Sequence, residues 1–244
     1  MKNYLVCGVI LFCSIKITTC SAQSLDEILN KHYEAIGQKV RSQLNSMFLE
    51  VIEVNEQNDE KKYSVILKKP NKIRIEGVWQ GQNYISAYDG NRAWTIAPWT
   101  GVAIPQLMTF SEIDDIKSKD GVNATIYNSQ QNNDEIIYAG LTKTDSATFY
   151  LLKISSVENP YTEYYLNVDN YLVYKSLRYS RDDTTQIVEE IKYSNYSKQS
   201  FGDQEDITIP MTLEIIRNDS KVELIITEVI LGFGTPNSFF TKPD

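Results

Sequence analysis

Cysteine is missing from almost the whole chain. Of the 244 residues only three are cysteine, and Cys7, Cys13 and Cys20 all lie within the first 22 residues. Their absence from residues 23–244 excludes disulfide bonds, thiolate metal sites and a cysteine nucleophile from that part of the chain. Because a chain of this length can bury a large hydrophobic core, we expect residues 23–244 to form one domain that is held together by packing.

Histidine is almost as scarce, and the common catalytic motifs are missing. His32 is the single histidine of the sequence, so no pair of histidines can bind a metal ion. The sequence contains no H-E-x-x-H, G-x-S-x-G, P-loop or G-x-G-x-x-G motif. Adjacent acidic residues such as Asp182 and Asp183 would point to opposite faces of a strand. We therefore predict that the protein is not an enzyme and has no cofactor or metal; a hydrolase whose carboxylates converge only on folding is the alternative.

Apolar runs are too short to cross a bilayer, which requires ~18 or more apolar residues. The longest run, residues 4–15, follows Lys2 and precedes the small residues Ser21 and Ala22. This arrangement is typical of a secretory signal peptide, so we predict that residues 1–22 are removed and that the mature protein is periplasmic. Lipid anchoring at Cys20 is the alternative, although residues 17–19 form a poor lipobox.

Basic residues are fewer than acidic residues in this sequence. Without Lys2 and Lys16 the mature chain has 22 basic residues against 32 acidic ones, a formal net charge of −10. An acidic surface repels phosphate backbones, which argues against a nucleic-acid partner. The simplest role of this charge is to keep the protein soluble.

What the sequence contains is a long series of strand signals. From residue 48 onward, alternating apolar and polar residues recur between turn signals and predict about eleven strands joined mostly by hairpins. Two helices are predicted, at residues 24–36 and at residues 111–119 with Ser111 as its cap, and a short helical turn is expected near Val40. A sheet of this size curls, so we expect a mainly β fold in which one unclosed, curved antiparallel sheet, a half-barrel, has two or three short helices covering its concave face.

Four segments give the sequence a resemblance to a known family. They are KKPNKIR (68–74), YDGNRAWTIAP (88–98), IPMTLEI (209–215) and residues 225–243, which end in SFFTKP. In this order they resemble the LolA/LolB superfamily of outer-membrane lipoprotein-sorting proteins, in the form found in Bacteroidetes-type bacteria. The resemblance implies that residues 23–244 form a LolA-like half-barrel whose apolar inner face holds the acyl chains of lipoproteins.

The resemblance also suggests where a ligand would bind. A basic residue before the turn proline helps gate the lid in that family, and Lys69 has this position with an ammonium group in place of a guanidinium. Aromatic residues in strands could equally fill an ordinary core. The predicted cavity residues are Ile73, Ile75, Trp79, Trp94, Ile96 and Trp99. The predicted lid residues are Leu107, Met108, Phe110, Ile113 and Ile116.

These observations lead to one functional prediction and one rival. We expect a monomeric periplasmic carrier or chaperone that binds an acylated lipoprotein or a lipid-like ligand and sorts lipoproteins to the outer membrane. The rival is an envelope protein-interaction or stress-sensor domain that uses the same half-barrel as a scaffold and transports no lipid.

Overall fold

A computed structural model describes residues 23–118, 125–144, 147–155, 161–203 and 206–243. The predicted signal peptide, residues 1–22, and the alternative anchor Cys20 lie outside these residues. Within the described residues thirteen strands form a single antiparallel sheet, two more strands than the approximate number predicted. The strands are β1 (Ser46–Asn55), β2 (Glu60–Lys68), β3 (Lys72–Trp79), β4 (Gln82–Tyr88), β5 (Ala93–Ala97), β6 (Val102–Leu107), β7 (Glu135–Lys143), β8 (Thr148–Ser155), β9 (Thr162–Asn167), β10 (Val173–Tyr179), β11 (Ile187–Gln199), β12 (Ile207–Arg217) and β13 (Ser220–Leu231).

The strand order shows that the sheet is unclosed. The order is β6-β5-β4-β3-β2-β1-β13-β12-β11-β10-β9-β8-β7, so β6 and β7 are the two edges. The chain therefore starts in the middle of the sheet, runs by hairpins to the edge β6, and then crosses to the opposite edge β7. From β7 it returns by hairpins until β13 pairs with β1. The predicted unclosed antiparallel sheet is confirmed.

Four short α-helices accompany the sheet in the described part of the chain, one more than the largest number expected. They are α1 (Leu25–Ala35), α2 (Gln38–Gln43), α3 (Phe110–Ser118) and α4 (Thr125–Gln131). None of the helices in these described segments is long and apolar enough to pass through a bilayer. Since α3 and α4 lie between β6 and β7 in the sequence, the chain crosses from one sheet edge to the other through these two helices.

The ends of two helices have clear local causes. Ser24 caps α1, because its Oγ accepts a hydrogen bond from the Glu27 N–H at 3.2 Å. The prediction of Ser111 as the cap of α3 is wrong. Thr109 has that role, since its Oγ1 accepts from the Glu112 N–H while the Glu112 carboxylate accepts from the Thr109 N–H at 2.6 Å. This reciprocal arrangement is a capping box, and the helix cap lies two residues earlier than predicted.

The helices bury their apolar sides in two groups of residues on the sheet. Val40 of α2 and Ile116 of α3 join the larger group, the main core, with residues of β1–β5 and β11–β13. Ile28 and Leu29 of α1 and Ile126 of α4 join the second core with residues of β8 and β9. The helix side chains in the main core and the inward side chains of the sheet therefore share one apolar layer, as packing of a helix on a sheet requires.

Candidate functional site

A cavity of about 410 Å³ opens at one end of the sheet. The start of β1, the β2–β3 turn and the end of β4 meet there with α2, α3 and α4. Its lining combines apolar side chains with five basic ones. The lining includes Gln38, Arg41, Met47, Leu67, Lys69, Lys72, Ile73, Tyr88 and Lys117.

The apolar part of this cavity is continuous with the main core. Met47, Leu67 and Ile73 line the cavity and are each less than 9% exposed. Sheet register brings them together, because Leu67 pairs with Met47 on one side and with Ile73 on the other. An apolar ligand that enters here would thus meet the same layer of side chains that α2 and α3 cover.

The basic part of the cavity is arranged around the predicted gating residue. Lys69 Nζ donates hydrogen bonds to the carbonyl oxygens of Arg41 and Ser42, at 2.9 and 2.7 Å. These carbonyls lie at the end of α2, where helical carbonyls lack partners within the helix. Burial lowers the pKa of the Lys69 ammonium below its ordinary value. Lys69 therefore connects the β2–β3 turn to α2, while its role in gating remains a prediction.

Two further basic residues stand beside Lys69. Lys72 Nζ donates to the backbone carbonyl of Asp89, and Lys117 Nζ lies 4.7 Å from the centre of the Tyr88 ring. Lys72 comes from β3 and Lys117 from α3, so a cation on the sheet and a cation on the helix share one opening. The sequence motif KKPNK indicated the first of these charges, but the sequence gave no sign that Lys117 would join it.

A buried arginine fixes the position of α2. Arg41 is 8% exposed; its Nε donates to the Ile36 carbonyl at 3.1 Å, and one terminal nitrogen donates to the Thr208 carbonyl at 2.8 Å. Because Thr208 belongs to β12, these bonds attach the helix to the sheet. Sequence reasoning missed Arg41 and its neighbour Gln38, since six residues are too few to display a helical pattern.

The predicted lid residues divide between two elements. Ile116 is 2% exposed in the main core, and Met108 and Ile113 are partly buried against it. Leu107 is the last residue of β6 and not part of a helix, and it is 63% exposed. Phe110 starts α3 but is 90% exposed. Ile113 and Ile116 therefore lie on the buried face of α3, and Met108 packs on the main core just before the helix begins.

The predicted cavity residues are not brought together. Ile73 lines the cavity, and Ile75 lies farther along the same face in the main core. Trp94 is on the opposite face. It pairs with Ala87, and Ala87 pairs with Arg74. Arg74 alternates along β3 with Ile73 and Ile75, so its side chain points to the other side of the sheet. Ile96, two residues beyond Trp94, shares that opposite face.

The C-terminal segment covers Trp94 on that face. Trp94 is 2% exposed, and its Nε1 donates to the Phe240 carbonyl at 2.8 Å. The Arg74 guanidinium lies 5.5 Å from the centres of the Trp94 and Phe239 rings. Trp94 thus anchors the C-terminal segment to the sheet and is not among the described residues that line the cavity.

Trp79 and Trp99 lie at the other end of the sheet from the cavity. Their rings pack edge to face with centroids 6.1 Å apart, and Trp99 also packs on Tyr84 at 5.5 Å. They are 36% and 48% exposed, respectively. They form a half-exposed aromatic cluster at the far end of β3, separate from the cavity.

The single histidine has a structural environment. His32 is buried under α1, and its Nδ1 lies 2.7 Å from the Tyr171 carbonyl, which can only accept, so Nδ1 donates. Burial lowers its pKa to about 4. Within the described residues no three His, Cys, Asp or Glu side chains gather closely enough to hold a metal ion.

Comparisons with known proteins concern the fold. No protein-family model and no curated protein matches the sequence. A LolA superfamily protein of Nitrosomonas europaea is similar over 91% of this chain and 99% of its own, with a TM-score of 0.60 and 14% identity. A domain of Vibrio parahaemolyticus assigned to the outer membrane lipoprotein-sorting proteins covers 85% of this chain and 95% of its own, with a TM-score of 0.57 and 12% identity.

A third solved structure agrees with these two. A DUF1329 family protein of Desulfovibrio piger is similar over 88% of this chain and 97% of its own, with a TM-score of 0.63 and 12% identity. At such identities the likeness extends to the architecture, and it spans nearly the full length of each structure. With its unclosed sheet and the helices packed on it, the chain has the LolA-like fold.

Proposed function

We propose that the protein is a monomeric, non-enzymatic periplasmic carrier or chaperone that holds the acyl chains of lipoproteins, or another apolar ligand, between the sheet and α3. In this role it would take part in sorting lipoproteins to the outer membrane. The observation that carries the proposal is the position of α3. It lies over β3 and β4 with Ile113 and Ile116 against the main core, directly beside an opening whose lining is partly apolar and reaches that core.

The energetics of such a carrier are favourable. Each CH₂ group removed from water contributes ~0.8 kcal/mol, so a chain of about sixteen carbons would gain over ~10 kcal/mol before ordering costs. A carrier must also release its cargo. Ile113 and Ile116 occupy the apolar layer that an acyl chain would need, so the lid and the ligand would compete for the same surface.

Native mass spectrometry tests the proposal. The mature protein would be purified from a bacterial periplasm without detergent, weighed, and then extracted with organic solvent. We expect an added mass that is recovered in the solvent as lipid or lipopeptide, or that appears after incubation with diacyl and triacyl lipopeptides. A mass that stays that of the protein alone after both treatments would contradict the carrier function.

A second candidate function rests on a different surface. Several large apolar side chains are exposed on and around the edge strand β6, where a partner could pair with the sheet. These residues suit an envelope protein-interaction or stress-sensor domain. Substituting Ile104 by Asp should then release a co-purifying envelope protein, whereas a carrier should keep its lipid after this change. The exposed residues are Trp99, Ile104, Leu107 and Phe110.

A further inference from the structure

Positive charge is concentrated around the cavity of a protein that is acidic as a whole. The full chain has 32 acidic and 24 basic residues. Among the 18 described residues that line the cavity, five are basic and none is Asp or Glu. Such a local reversal of charge attracts anions. The five basic residues are Arg41, Lys68, Lys69, Lys72 and Lys117.

The lysines of this opening are held by neutral groups. Lys69 donates to the carbonyl of Ser42, Lys72 to the carbonyl of Asp89, and Lys117 lies over the ring of Tyr88. The carboxylate of Asp89 accepts hydrogen bonds from two backbone N–H groups of its own turn and does not line the cavity. Carbonyl oxygens and an aromatic ring orient an ammonium group but do not neutralise it. The Asp89 carboxylate interacts with the Lys72 charge from outside the lining and offsets part of it, and the remaining positive charge stays available to an anion in the cavity.

A buried amide in the same lining also lacks a partner. Gln38 is 9% exposed, and its Oε1 has no hydrogen-bond partner in the described part of the chain. An unsatisfied buried acceptor costs about 1–3 kcal/mol. A hydroxyl group on a bound ligand would supply the missing donor. The lining thus offers ammonium groups for an anion, one acceptor for a hydroxyl, and apolar side chains beneath them.

We propose that this cavity binds the phosphate head of an anionic amphiphile, with Lys72 and Lys117 pairing with the phosphate. Its alkyl chain would follow Met47, Leu67 and Ile73 beneath α3. The inference rests on the proposed function, because it names the class of ligand for the same cavity. Lys117 belongs to α3 and Lys72 to the sheet. A phosphate bound by both lysines would therefore hold α3, the lid, against the sheet.

Isothermal titration calorimetry with two lysolipids tests the inference. Lysophosphatidylglycerol and lysophosphatidylcholine of equal chain length would be titrated below their micelle concentrations. They share the phosphate, the chain and the free hydroxyl of the lysolipid backbone. Choline makes the second head group zwitterionic, and it lacks the two hydroxyls of the head-group glycerol that lysophosphatidylglycerol, the glycerol lipid, carries. We expect the wild-type protein to bind the glycerol lipid about tenfold more tightly, as two partly exposed charge pairs allow. The preference should fall as salt is raised.

Two double variants locate the effect. Lys72→Gln with Lys117→Gln should abolish the preference, because it should lower the affinity for the net anionic lipid more than the affinity for the zwitterionic choline lipid. Lys62→Gln with Lys143→Gln removes the same charge from exposed strand positions outside the cavity lining, so it should keep the preference. Thermal unfolding of both variants shows whether each is folded. Equal loss of preference in the two variants would assign it to overall charge and overturn the inference.

The remaining outcomes separate this inference from the proposed function. Equal affinity of the wild-type protein for both lysolipids would overturn the assignment of an anionic amphiphile and leave the carrier function standing. Binding of neither lipid, nor of any lipopeptide, would overturn both. An excess of inorganic phosphate should not displace the glycerol lipid, because the chain supplies much of the affinity. Displacement by phosphate alone would identify a site for the free anion and contradict the amphiphile.

Discussion

The ammonium group of Lys69 donates a hydrogen bond to the carbonyl oxygen of Ser42 at 2.7 Å. This contact joins the turn between β2 and β3 to the end of α2, at the opening of the cavity. A lysine in this position holds a helix through backbone atoms, so the contact does not depend on which side chains α2 carries. These bonds have to break before the end of α2 can move away from the β2–β3 turn, while Arg41 separately attaches the helix to β12.

Replacing Lys69 tests whether this contact controls the opening. Lys69→Met keeps most of the aliphatic stem and removes the bonds to Arg41 and Ser42. We expect the free energy of unfolding to fall by about 1–2 kcal/mol and a bound lipid to exchange several-fold faster. Urea denaturation and the release of a fluorescent fatty acid measure the two effects. Lys62→Met, at an exposed position, is the control, and unchanged exchange in Lys69→Met would contradict a gating role.

Truncating the lid should strengthen the retention of ligand. Ile113→Ala removes part of the apolar surface with which α3 competes against the ligand, so we expect several-fold slower lipid release. Phe110→Ala is the matched control, because that ring is 90% exposed and covers little of the core. Retention that is equal in Ile113→Ala and wild type, with folding intact, would rule out α3 as the lid.

Trp94 should matter for stability but not for binding. Trp94→Phe leaves the Phe240 carbonyl without its donor in a buried position, which should cost about 1–3 kcal/mol of unfolding free energy. Lipid affinity should not change, because Trp94 lies on the opposite face of the sheet from the cavity. Ile73→Ala, in the cavity lining, should lower both stability and affinity. A loss of affinity in Trp94→Phe alone would contradict this assignment of the faces.

His32 should make the protein less stable in mild acid. Burial lowers its pKa to about 4, whereas the unfolded chain takes up this proton near 6.5. Protonation therefore favours the unfolded state as the pH falls below about 6.5, and the loss reaches about 2 kcal/mol by about pH 5. Urea denaturation of wild type and His32→Asn, in which an amide can still donate to Tyr171, isolates the effect from the carboxylates. Parallel pH dependences of the two proteins would contradict it.

The strand series could be read from the sequence, but β6 could not. Gly101 and Pro105 interrupt the apolar residues 99–105, so the alternation that indicates a strand is not visible there. Proline lacks a donor, yet an edge strand has one side that forms no ladder bonds, so Pro105 is tolerated in β6. Helix α4 was also missed, because Ile126 is its single fully buried residue and the segment therefore shows no apolar period.

The cavity was harder to predict than the strands. Alternation tells which residues of one strand share a face, but the pairing between strands decides which faces of neighbouring strands coincide. The sequence contains Ile73 and Trp94 in convincing strands, and only their register separates them onto opposite faces. The basic opening needs Lys117 from α3 beside Lys72 from β3, which are distant in sequence. No local sequence pattern shows that these two lysines come to the same opening.

The strand order has a consequence for how the molecule is made. The two strands at the centre of the sheet, β1 and β13, are the first and the last to be synthesised. One long edge of β1 therefore stays without its partner until β13 has been synthesised. Contacts of such high contact order form slowly, and an uncovered strand edge invites pairing with other chains. The interval before β13 pairs with β1 is therefore the stage of folding at which this sheet is most exposed to aggregation.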